Sequence, residues 1–221
     1  MSEAGIRSSG ARLLGPYFAL DGPDGCGKSS QATQLTEWLA ANGADVVHVR
    51  EPGSTPVGEA LRDLLLSKET GELQAISEVL LFSAARAELM ARVIAPARRR
   101  GAIVIAERCY LSTAVYQLLA NEVKQPGVID AKWFEDLTRR VHGECLPDAI
   151  FVLDVPAEVS EQRRTDRIED RIEARGSTYH RRVRDGYLAA AANEPRSVVI
   201  DASQGVEIVQ DHLRDCVRRF L

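Results

Sequence analysis

Five short apolar segments, separated by helical patterns, constrain the fold of this 221-residue chain more than any other feature. The segments are rich in aliphatic or β-branched residues and show no polar alternation, which is typical of strands covered on both faces. They are Tyr17–Asp21, Asp45–Val49, Ala102–Ala106, Ala149–Asp154 and Ser197–Asp201. Strands that alternate with helices predict right-handed crossovers. We therefore expect an α/β domain with a five-stranded parallel sheet flanked by helices.

Helical patterns occupy the intervals between the apolar segments. The predicted helices are Ser29–Asn42, Pro56–Leu66, Leu73–Arg100, Asp130–Val141, Ala157–Arg167, Tyr179–Ala192 and Val206–Phe220. Pro96 falls near the end of the longest one, where we expect a kink because proline has no backbone N–H to donate. Ligands of such sheets bind beyond the carboxyl ends of the strands, so side chains at that edge are the candidate functional residues.

The segment from Gly22 to Ser29 fits the pattern G-x-x-x-x-G-K-[ST] and lies between the first strand and the first helix, as the pattern requires. Its backbone N–H groups and the helix N-terminus can bind a polyphosphate. Lys28 is expected to face solvent until it meets the β- and γ-phosphates, and the Ser29 hydroxyl to bind Mg²⁺. The motif predicts an ATP site; a simple glycine turn is the alternative. The expected nucleotide-binding residues are Gly22, Pro23, Asp24, Gly25, Cys26, Gly27, Lys28, Ser29 and Ser30.

Composition argues against several classes of protein. The formal net charge of −4 does not suit a chain that coats nucleic acid or an anionic membrane. No stretch approaches the ~20 apolar residues of a membrane span, and residues 1–14, which we expect to be a loose tail, hold no signal-peptide run. The four cysteines form no CxxC pair and lie at no zinc-ligand spacing. We therefore expect a cytoplasmic protein.

Charged pairs follow two of the apolar segments at the predicted ligand edge. Arg50 and Glu51 follow the second segment, and Glu107 and Arg108 follow the third. A carboxylate at a strand end beside this loop can hold the metal through water, and an adjacent arginine can neutralise phosphate charge. We expect these roles for Glu107 and Arg108. The alternative for each pair is a simple ion pair.

Two helices carry side chains that can reach the same edge. Phe82 and Arg86 are spaced i, i+4 and share a face. A ring that can stack on a base then lies beside a guanidinium that can hydrogen-bond to its edge. Gln117 and Thr113 have the same spacing on the following helix. In the alternative interpretation Phe82 lies in the core, Arg86 on the surface, and Gln117 in solvent.

In this order the motifs resemble thymidylate kinases, from about Tyr17 to the C-terminus. The motifs are the loop Gly22–Ser30, Arg50-Glu51-Pro52-Gly53, Leu81–Arg86, Glu107-Arg108, Leu111-Ser112-Thr113, Tyr116-Gln117 and Asp170-Arg171-Ile172-Glu173. The resemblance implies a P-loop nucleoside monophosphate kinase domain over residues 15–221. It implies transfer of the ATP γ-phosphate to dTMP, giving dTDP for dTTP synthesis. The family is usually homodimeric through its helices, so a homodimer is also implied.

The resemblance implies roles for single residues at the acceptor site. Arg50 helps to hold the acceptor phosphate, Phe82 stacks on thymine, and Arg86 reads a carbonyl of the base. Gln117 faces the base. Asp24, inside the P-loop, meets the 3′-hydroxyl of the sugar, with a solvated loop residue as the alternative.

Departures from the family pattern leave alternatives open. The family usually has Asp-Arg-Tyr where this chain has Glu107-Arg108-Cys109. Glu-Arg at this point also resembles deoxyribonucleoside kinases, in which the glutamate is a general base on a hydroxyl. Leu118–Asn121 stands where the family often has a glycine-rich turn. A deoxynucleoside kinase is therefore one alternative, and a P-loop ATPase or regulatory nucleotide-binding protein is another.

An arginine-rich segment follows the fourth apolar segment. The i, i+4 spacing holds for Arg163, Arg167, Arg171 and Arg175. These side chains would face one way if the helix continues, although a solvated charged face is the common alternative. The resemblance implies a helical lid over about residues 163–178. Because Gly25 stands where one subgroup carries an arginine, the lid is expected to supply the catalytic cation, from Arg164 first and Arg167 second.

Overall fold

The computed structural model describes residues 14–120, 129–163 and 170–221. Within these ranges five strands form one parallel sheet in the order β2-β3-β1-β4-β5. The strands are β1 (Tyr17–Asp21), β2 (Val46–Arg50), β3 (Ile103–Glu107), β4 (Ala149–Asp154) and β5 (Ser197–Asp201). The predicted α/β class is confirmed, and β1, β4 and β5 have the predicted bounds.

The strands β2 and β3 each lie one residue further along the chain than predicted. Arg50 of β2 is opposite Glu107 of β3, and Glu107 is also opposite Leu20 of β1. These charged residues belong to the sheet because strand pairing uses backbone groups and tolerates polar side chains at its edge. Both side chains are therefore placed at the carboxyl edge, next to the loop that follows β1.

Helices cover both faces of the sheet. They are α1 (Lys28–Ala41), α2 (Pro56–Leu66), α3 (Ala75–Leu89), α4 (Ala95–Arg99), α5 (Tyr110–Thr113), α6 (Ala131–His142), α7 (Ala157–Gln162), α8 (Ser177–Asn193) and α9 (Val206–Arg218). Two π-helical segments, Met90–Ile94 and Ala114–Leu119, follow α3 and α5, and 3₁₀ turns cover Lys68–Thr70 and Glu173–Arg175. Among the described residues no helix is long and apolar enough to cross a membrane.

The long helical pattern Leu73–Arg100 is interrupted one turn before Pro96. Over Met90–Ile94 the helix widens, and the N–H of Ala95 donates to the carbonyl of Met90, five residues back. Proline cannot donate to a regular ladder and crowds the preceding turn. The expected kink is therefore a π-helical segment between the helices α3 and α4. At the other end of the pattern, α3 starts at Ala75 rather than at Leu73.

The predicted stripe of arginines does not extend along one helix to Arg171 and Arg175. The helix α7 ends at Gln162, and Arg171 and Arg175 follow in a turn and a 3₁₀ segment. The carboxylate of Asp170 accepts hydrogen bonds from two backbone N–H groups that follow it, at 2.8 and 2.9 Å. Such side-chain bonds replace helical ones and favour a turn. The expectation of a shared helix face is therefore wrong for Arg171 and Arg175.

The strand β1 separates two apolar cores. Phe18 and Leu20 pack on one face of the sheet with residues of α1 and α9, and Ala19 packs on the other face with residues of α5 and α8. All three are fully buried, as expected for a central strand. The loops after β1, β2 and β3 then meet at one edge, which carries the candidate site.

Candidate active site

The P-loop begins at the end of β1 and ends where α1 starts. Gly22 has a φ of 137°, and a Cβ there would lie 2.5 Å from the carbonyl oxygen of Leu153, so only glycine fits. The Nζ of Lys28 donates to the carbonyl oxygens of Gly22 at 2.9 Å and Pro23 at 2.8 Å. Lys28 is 8% exposed. The expectation that Lys28 faces solvent is therefore wrong, because the loop's own carbonyl groups bind the ammonium.

Glu107 closes β3 beside the first turn of α1. One carboxylate oxygen accepts a hydrogen bond from the Ser29 hydroxyl, and the other lies 3.0 Å from Nε2 of His48. Partial burial would raise the pKa of Glu107, but the hydrogen bonds from His48 and Ser29 outweigh it and lower the pKa. A hydroxyl and a carboxylate in contact are oxygen donors of the kind that Mg²⁺ prefers.

Asp24 and Arg108 form an ion pair beside the P-loop. Arg108 has a φ of 73°, which is unusual for a residue with a side chain, and its Nη1 donates to the Ser112 hydroxyl at 3.0 Å. The Tyr116 hydroxyl donates to the second oxygen of Asp24 at 2.7 Å, and the Tyr116 ring lies 5.2 Å from the guanidinium. Burial would raise the pKa of Asp24, but the charges of Arg108 and Lys28 outweigh it and hold the pKa at about 2. Asp24 is therefore not a solvated loop residue.

Asp21 lies at the end of β1, fully buried behind this ion pair. It accepts hydrogen bonds from the hydroxyls of Ser112 at 2.6 Å and Tyr187 at 2.7 Å, and from the backbone N–H of Cys109 at 3.1 Å. The Nη1 of Arg108 lies 3.9 Å from the same carboxylate. A buried carboxylate with this many donors fixes their positions, so Asp21 ties α5 and α8 to the strand end that carries the P-loop.

Arg86 is buried, whereas the alternative interpretation placed it on the surface. Its Nε lies 2.5 Å from Oε2 of Glu51, and its Nη2 donates to the carbonyl of Cys109 and to Oγ1 of Thr113, both at 3.1 Å. Burial raises the pKa of Glu51 even though the guanidinium opposes the shift. Phe82, one turn earlier on α3, is half-buried and packs against the edge of the core that contains α5 and α8.

One cavity of about 490 Å³ joins the P-loop to these residues. The expected site residues that line it are Asp24, Gly25, Gly27, Lys28, Ser29, Ser30, Arg50, Phe82, Arg86, Glu107, Arg108 and Gln117. Gly22, Pro23 and Cys26 belong to the loop without lining the cavity, and Arg164 and Arg167 lie outside the described residues. The fold therefore brings the residues of two predicted subsites into one space of ligand size.

Arg50 lines the cavity in an ion pair that the sequence did not indicate. Its Nη2 lies 2.8 Å from Oε2 of Glu59 on α2, and both side chains are exposed. Glu51, the neighbour in sequence, pairs with Arg86 instead. The two charges at this strand end therefore have separate partners.

Several polar residues of the site are not among those predicted from the sequence. Arg62 lines the cavity, and its Nη1 donates to the carbonyl of Pro52 at 3.0 Å. Glu78 is fully buried and accepts a hydrogen bond from Nε2 of Gln117 at 3.2 Å. Gln117 is thus also buried, and its solvated alternative is wrong. A signal was available for Glu78, since it lies one turn before Phe82 on the same helix face.

The missed residues His48 and Tyr116 also had sequence signals. His48 lies two positions before Arg50 on β2, so both side chains lie on one face of the sheet. Tyr116 stands beside Gln117 in one of the motifs that carry the family resemblance. Local spacing therefore indicated candidates, but it did not identify Glu107 and Asp24 as their partners.

The P-loop follows the first strand of a parallel sheet with the order β2-β3-β1-β4-β5 and opens into a second polar subsite. Together these features define a P-loop kinase. The family model for thymidylate kinase matches residues 20–213. The chain belongs to the thymidylate kinase family and is an enzyme, a nucleoside monophosphate kinase.

Individual relatives agree with this assignment. The chain is 39% identical over 206 residues to the thymidylate kinase of Symbiobacterium thermophilum, covering 93% of this chain and 94% of the relative. It is 41% identical over 200 residues to that of Pelotomaculum thermopropionicum, covering 89% and 90%. The crystal structure of thymidylate kinase from Ehrlichia chaffeensis is similar with a TM-score of 0.73 at 27% identity, covering 93% of this chain and 99% of that one.

Proposed function

We propose that this enzyme transfers the γ-phosphoryl group of ATP to the phosphate of dTMP, giving ADP and dTDP for dTTP synthesis. The observation that carries the proposal is the shared cavity, which is lined both by the P-loop and by Phe82, Arg86 and Gln117. A donor and an acceptor held in one cavity are positioned for direct transfer.

We assign the base of the acceptor to Phe82, Arg86 and Gln117. Phe82 offers a half-buried ring on which a pyrimidine can stack. Arg86 is anchored through Nε and Nη2, which leaves Nη1 to donate to a carbonyl of the base. Gln117 adds an amide group beside it.

The sugar and phosphate of the acceptor are assigned to the charged residues nearby. Asp24 would accept the 3′-hydroxyl, and Arg50 and Arg108 would bind the phosphate. Both arginines are paired with carboxylates, Arg50 with Glu59 and Arg108 with Asp24. The phosphate would therefore either displace the carboxylate or bind the same guanidinium beside it. Displacement costs little free energy for the Arg50–Glu59 pair, because that pair is exposed to solvent.

Ser29 and Glu107 are the proposed Mg²⁺ site. Their contact and the lowered pKa of Glu107 suit a hard cation that requires ionised oxygen ligands. Ser29 would hold the ion directly and Glu107 through water, and Mg²⁺, when bound, would neutralise charge on the triphosphate. Because Glu107 bonds to Ser29 and His48, its geometry does not favour the general-base role of a deoxynucleoside kinase.

The reaction needs no strong general base because the acceptor phosphate is already an anion at neutral pH. Lys28 and Arg108 would offset the negative charge that spreads over the transferring group. We propose that a lid over about residues 163–178 closes on both substrates and supplies Arg164, or else Arg167, as a further cation. Closure would also exclude water and limit ATP hydrolysis.

We further propose that the enzyme is a cytoplasmic homodimer. Leu64 on α2 and Leu80 on α3 are 42% and 47% exposed, and these two helices pack together. Exposed apolar side chains on adjacent helices suit a second copy of the chain. All four cysteines are free thiols, as expected in a reducing compartment. Light scattering at several concentrations tests the dimer, and a monomer mass throughout would contradict it.

A coupled assay of ADP release across nucleosides and nucleoside monophosphates tests the reaction. We expect dTMP to give the highest kcat/KM, and Lys28→Ala to abolish turnover with every acceptor. Thymidine as the best acceptor would instead support a deoxynucleoside kinase. Rapid ADP release without an acceptor, unaffected by dTMP, would support an ATPase or a regulatory protein.

A further inference from the structure

The two oxygens of the Glu78 carboxylate have different partners. Glu78 is 0% exposed on α3. Its Oε2 accepts a hydrogen bond from Nε2 of Gln117 at 3.2 Å. Its Oε1 lies 2.7 Å from Nη2 of Arg171 and 3.0 Å from Nη2 of Arg175. A buried glutamate thus connects a cavity-lining glutamine to two arginines of the proposed lid segment, residues 163–178.

The carboxylate determines which end of the Gln117 amide faces it. An ionised carboxylate only accepts hydrogen bonds, whereas an amide has a donating NH₂ and an accepting oxygen on the same carbon. The NH₂ of Gln117 must therefore turn towards Glu78. The amide oxygen is then the group that Gln117, which lines the cavity, can present to an acceptor base.

The arginines keep Glu78 in this orientation. Arg171 is itself anchored, because its Nε donates to the carbonyl of Leu65 at 3.0 Å. Arg175 donates to the hydroxyl of Tyr179 at 3.2 Å, and its guanidinium lies 5.1 Å from the centre of that ring. The hydrogen bond from Arg175 and the ion pair with Arg171 hold Oε1. Oε2 is left for Gln117, and the side-chain amide has one satisfied orientation.

We propose that Glu78 is a specificity-determining positioning residue, which fixes the Gln117 amide so that the site selects a base with an N–H on its ring edge. This inference rests on the proposed function. Thymine and uracil carry a ring N–H beside a carbonyl, matching the oxygen of Gln117 and the Nη1 of Arg86. Cytosine carries an unprotonated ring nitrogen beside an amino group. The ring nitrogen would face the Gln117 oxygen, which is also an acceptor, and the amino group would face Nη1 of Arg86, which is also a donor. A site built for one hydrogen-bond pattern rejects the other strongly.

The Glu78→Gln variant tests the proposal because it should reverse the amide. The new carbonyl oxygen will turn to the two arginines, of which Arg175 is the hydrogen-bond donor. Its NH₂ will then face Gln117, and Gln117 will present its own NH₂ to the cavity. We expect the ratio of kcat/KM for dTMP to that for dCMP to fall at least ~10-fold. The ratio of dTMP to dUMP should stay constant, since both bases carry the ring N–H, and the KM for ATP should not change.

Two further variants separate this effect from general damage. Glu135→Gln makes the same substitution at an exposed position of α6 and should leave both ratios unchanged. The exchange of Glu78→Gln with Gln117→Glu again presents an oxygen to the base and should recover most of the preference for dTMP. If the single variant does not fold, this exchanged pair decides the question.

The outcomes distinguish this inference from the proposed function. A folded Glu78→Gln variant with the wild-type ratio of dTMP to dCMP would overturn the role of Glu78 alone. An exchanged pair that folds but does not regain the preference for dTMP would overturn it as well. A wild-type enzyme without any preference for dTMP would instead contradict the proposed function.

Discussion

The Nε of Arg86 lies 2.5 Å from Oε2 of Glu51, and these side chains are only 4% and 3% exposed. They come from α3 and from the residue directly after β2. The ion pair thus joins a helix to the ligand edge of the sheet, and it holds one side of the guanidinium away from the cavity. Stability and base recognition therefore depend on the same pair.

We expect Glu51→Ala to lower the free energy of unfolding by about 3 kcal/mol or more. The change leaves the Arg86 charge buried without its partner, which costs more than the pair contributes by itself. Urea denaturation followed by circular dichroism measures the loss. As a control, Glu135→Ala removes an exposed partner of Arg139 and should cost less than ~1 kcal/mol. Equal losses in the two variants would contradict the structural role of Glu51.

We expect Arg86→Lys to raise the KM for dTMP far more than the KM for ATP. Lysine can still balance Glu51, but it lacks the fork that bonds to the protein and to a base carbonyl together. Losing a charged hydrogen bond to the base costs about 1.5–3 kcal/mol. Steady-state kinetics with each substrate varied measures the split. An equal rise in both KM values would indicate a purely structural role.

The stability of the protein should depend on Asp24 at acid pH. Its pKa is about 2 in the folded chain, against 3.8 for an unperturbed aspartate, so the folded state binds its proton less readily. The resulting stabilisation, ~2 kcal/mol, is present above pH ~4 and is lost as the pH falls towards 2. Unfolding free energies from pH 5 to 2 should therefore fall more for the wild type than for Asp24→Asn. Parallel curves would refute the assignment.

We expect His48→Phe to weaken the use of Mg²⁺. His48 lies 3.0 Å from one oxygen of Glu107, and partners of metal-binding carboxylates typically change metal affinity by ~10-fold or more. The Mg²⁺ concentration for half-maximal activity should rise. Calorimetry should also find that Mg²⁺ strengthens ADP binding less than in the wild type. The exposed His212→Phe is the control, and an unchanged Mg²⁺ dependence in His48→Phe would exclude this role.

We expect Arg164→Ala to lower kcat by as much as ~10³-fold if the arginine stabilises the transition state. ATP affinity without an acceptor should barely change, because the lid would meet the phosphates only when it closes. The exposed Arg140→Ala on α6 serves as the control.

Limited proteolysis is an independent test of the lid. The segment 163–178 should be cut more slowly when a bisubstrate analogue is bound, because closure would bury it. Cleavage at equal rates with and without the analogue, or a wild-type kcat in both Arg164→Ala and Arg167→Ala, would exclude the lid.

The sequence by itself determined the features that depend on near neighbours. The P-loop from Gly22 to Ser29 and the five strands follow from local spacing and apolar runs, since turn geometry and burial pattern involve a few adjacent residues. The parallel topology then placed Arg50 and Glu107 at the ligand edge, because all parallel strands end on the same side.

Only the tertiary structure decided which charged groups meet and how deeply they are buried. The Glu51–Arg86 pair joins residues 35 positions apart, and the Glu78–Arg175 contact joins residues 97 apart. A helical pattern gives the face on which such a side chain lies, but it does not give the partner that packing brings to that face. Lys28 illustrates the same limit, since its burial against loop carbonyls follows from the folded P-loop and not from its spacing.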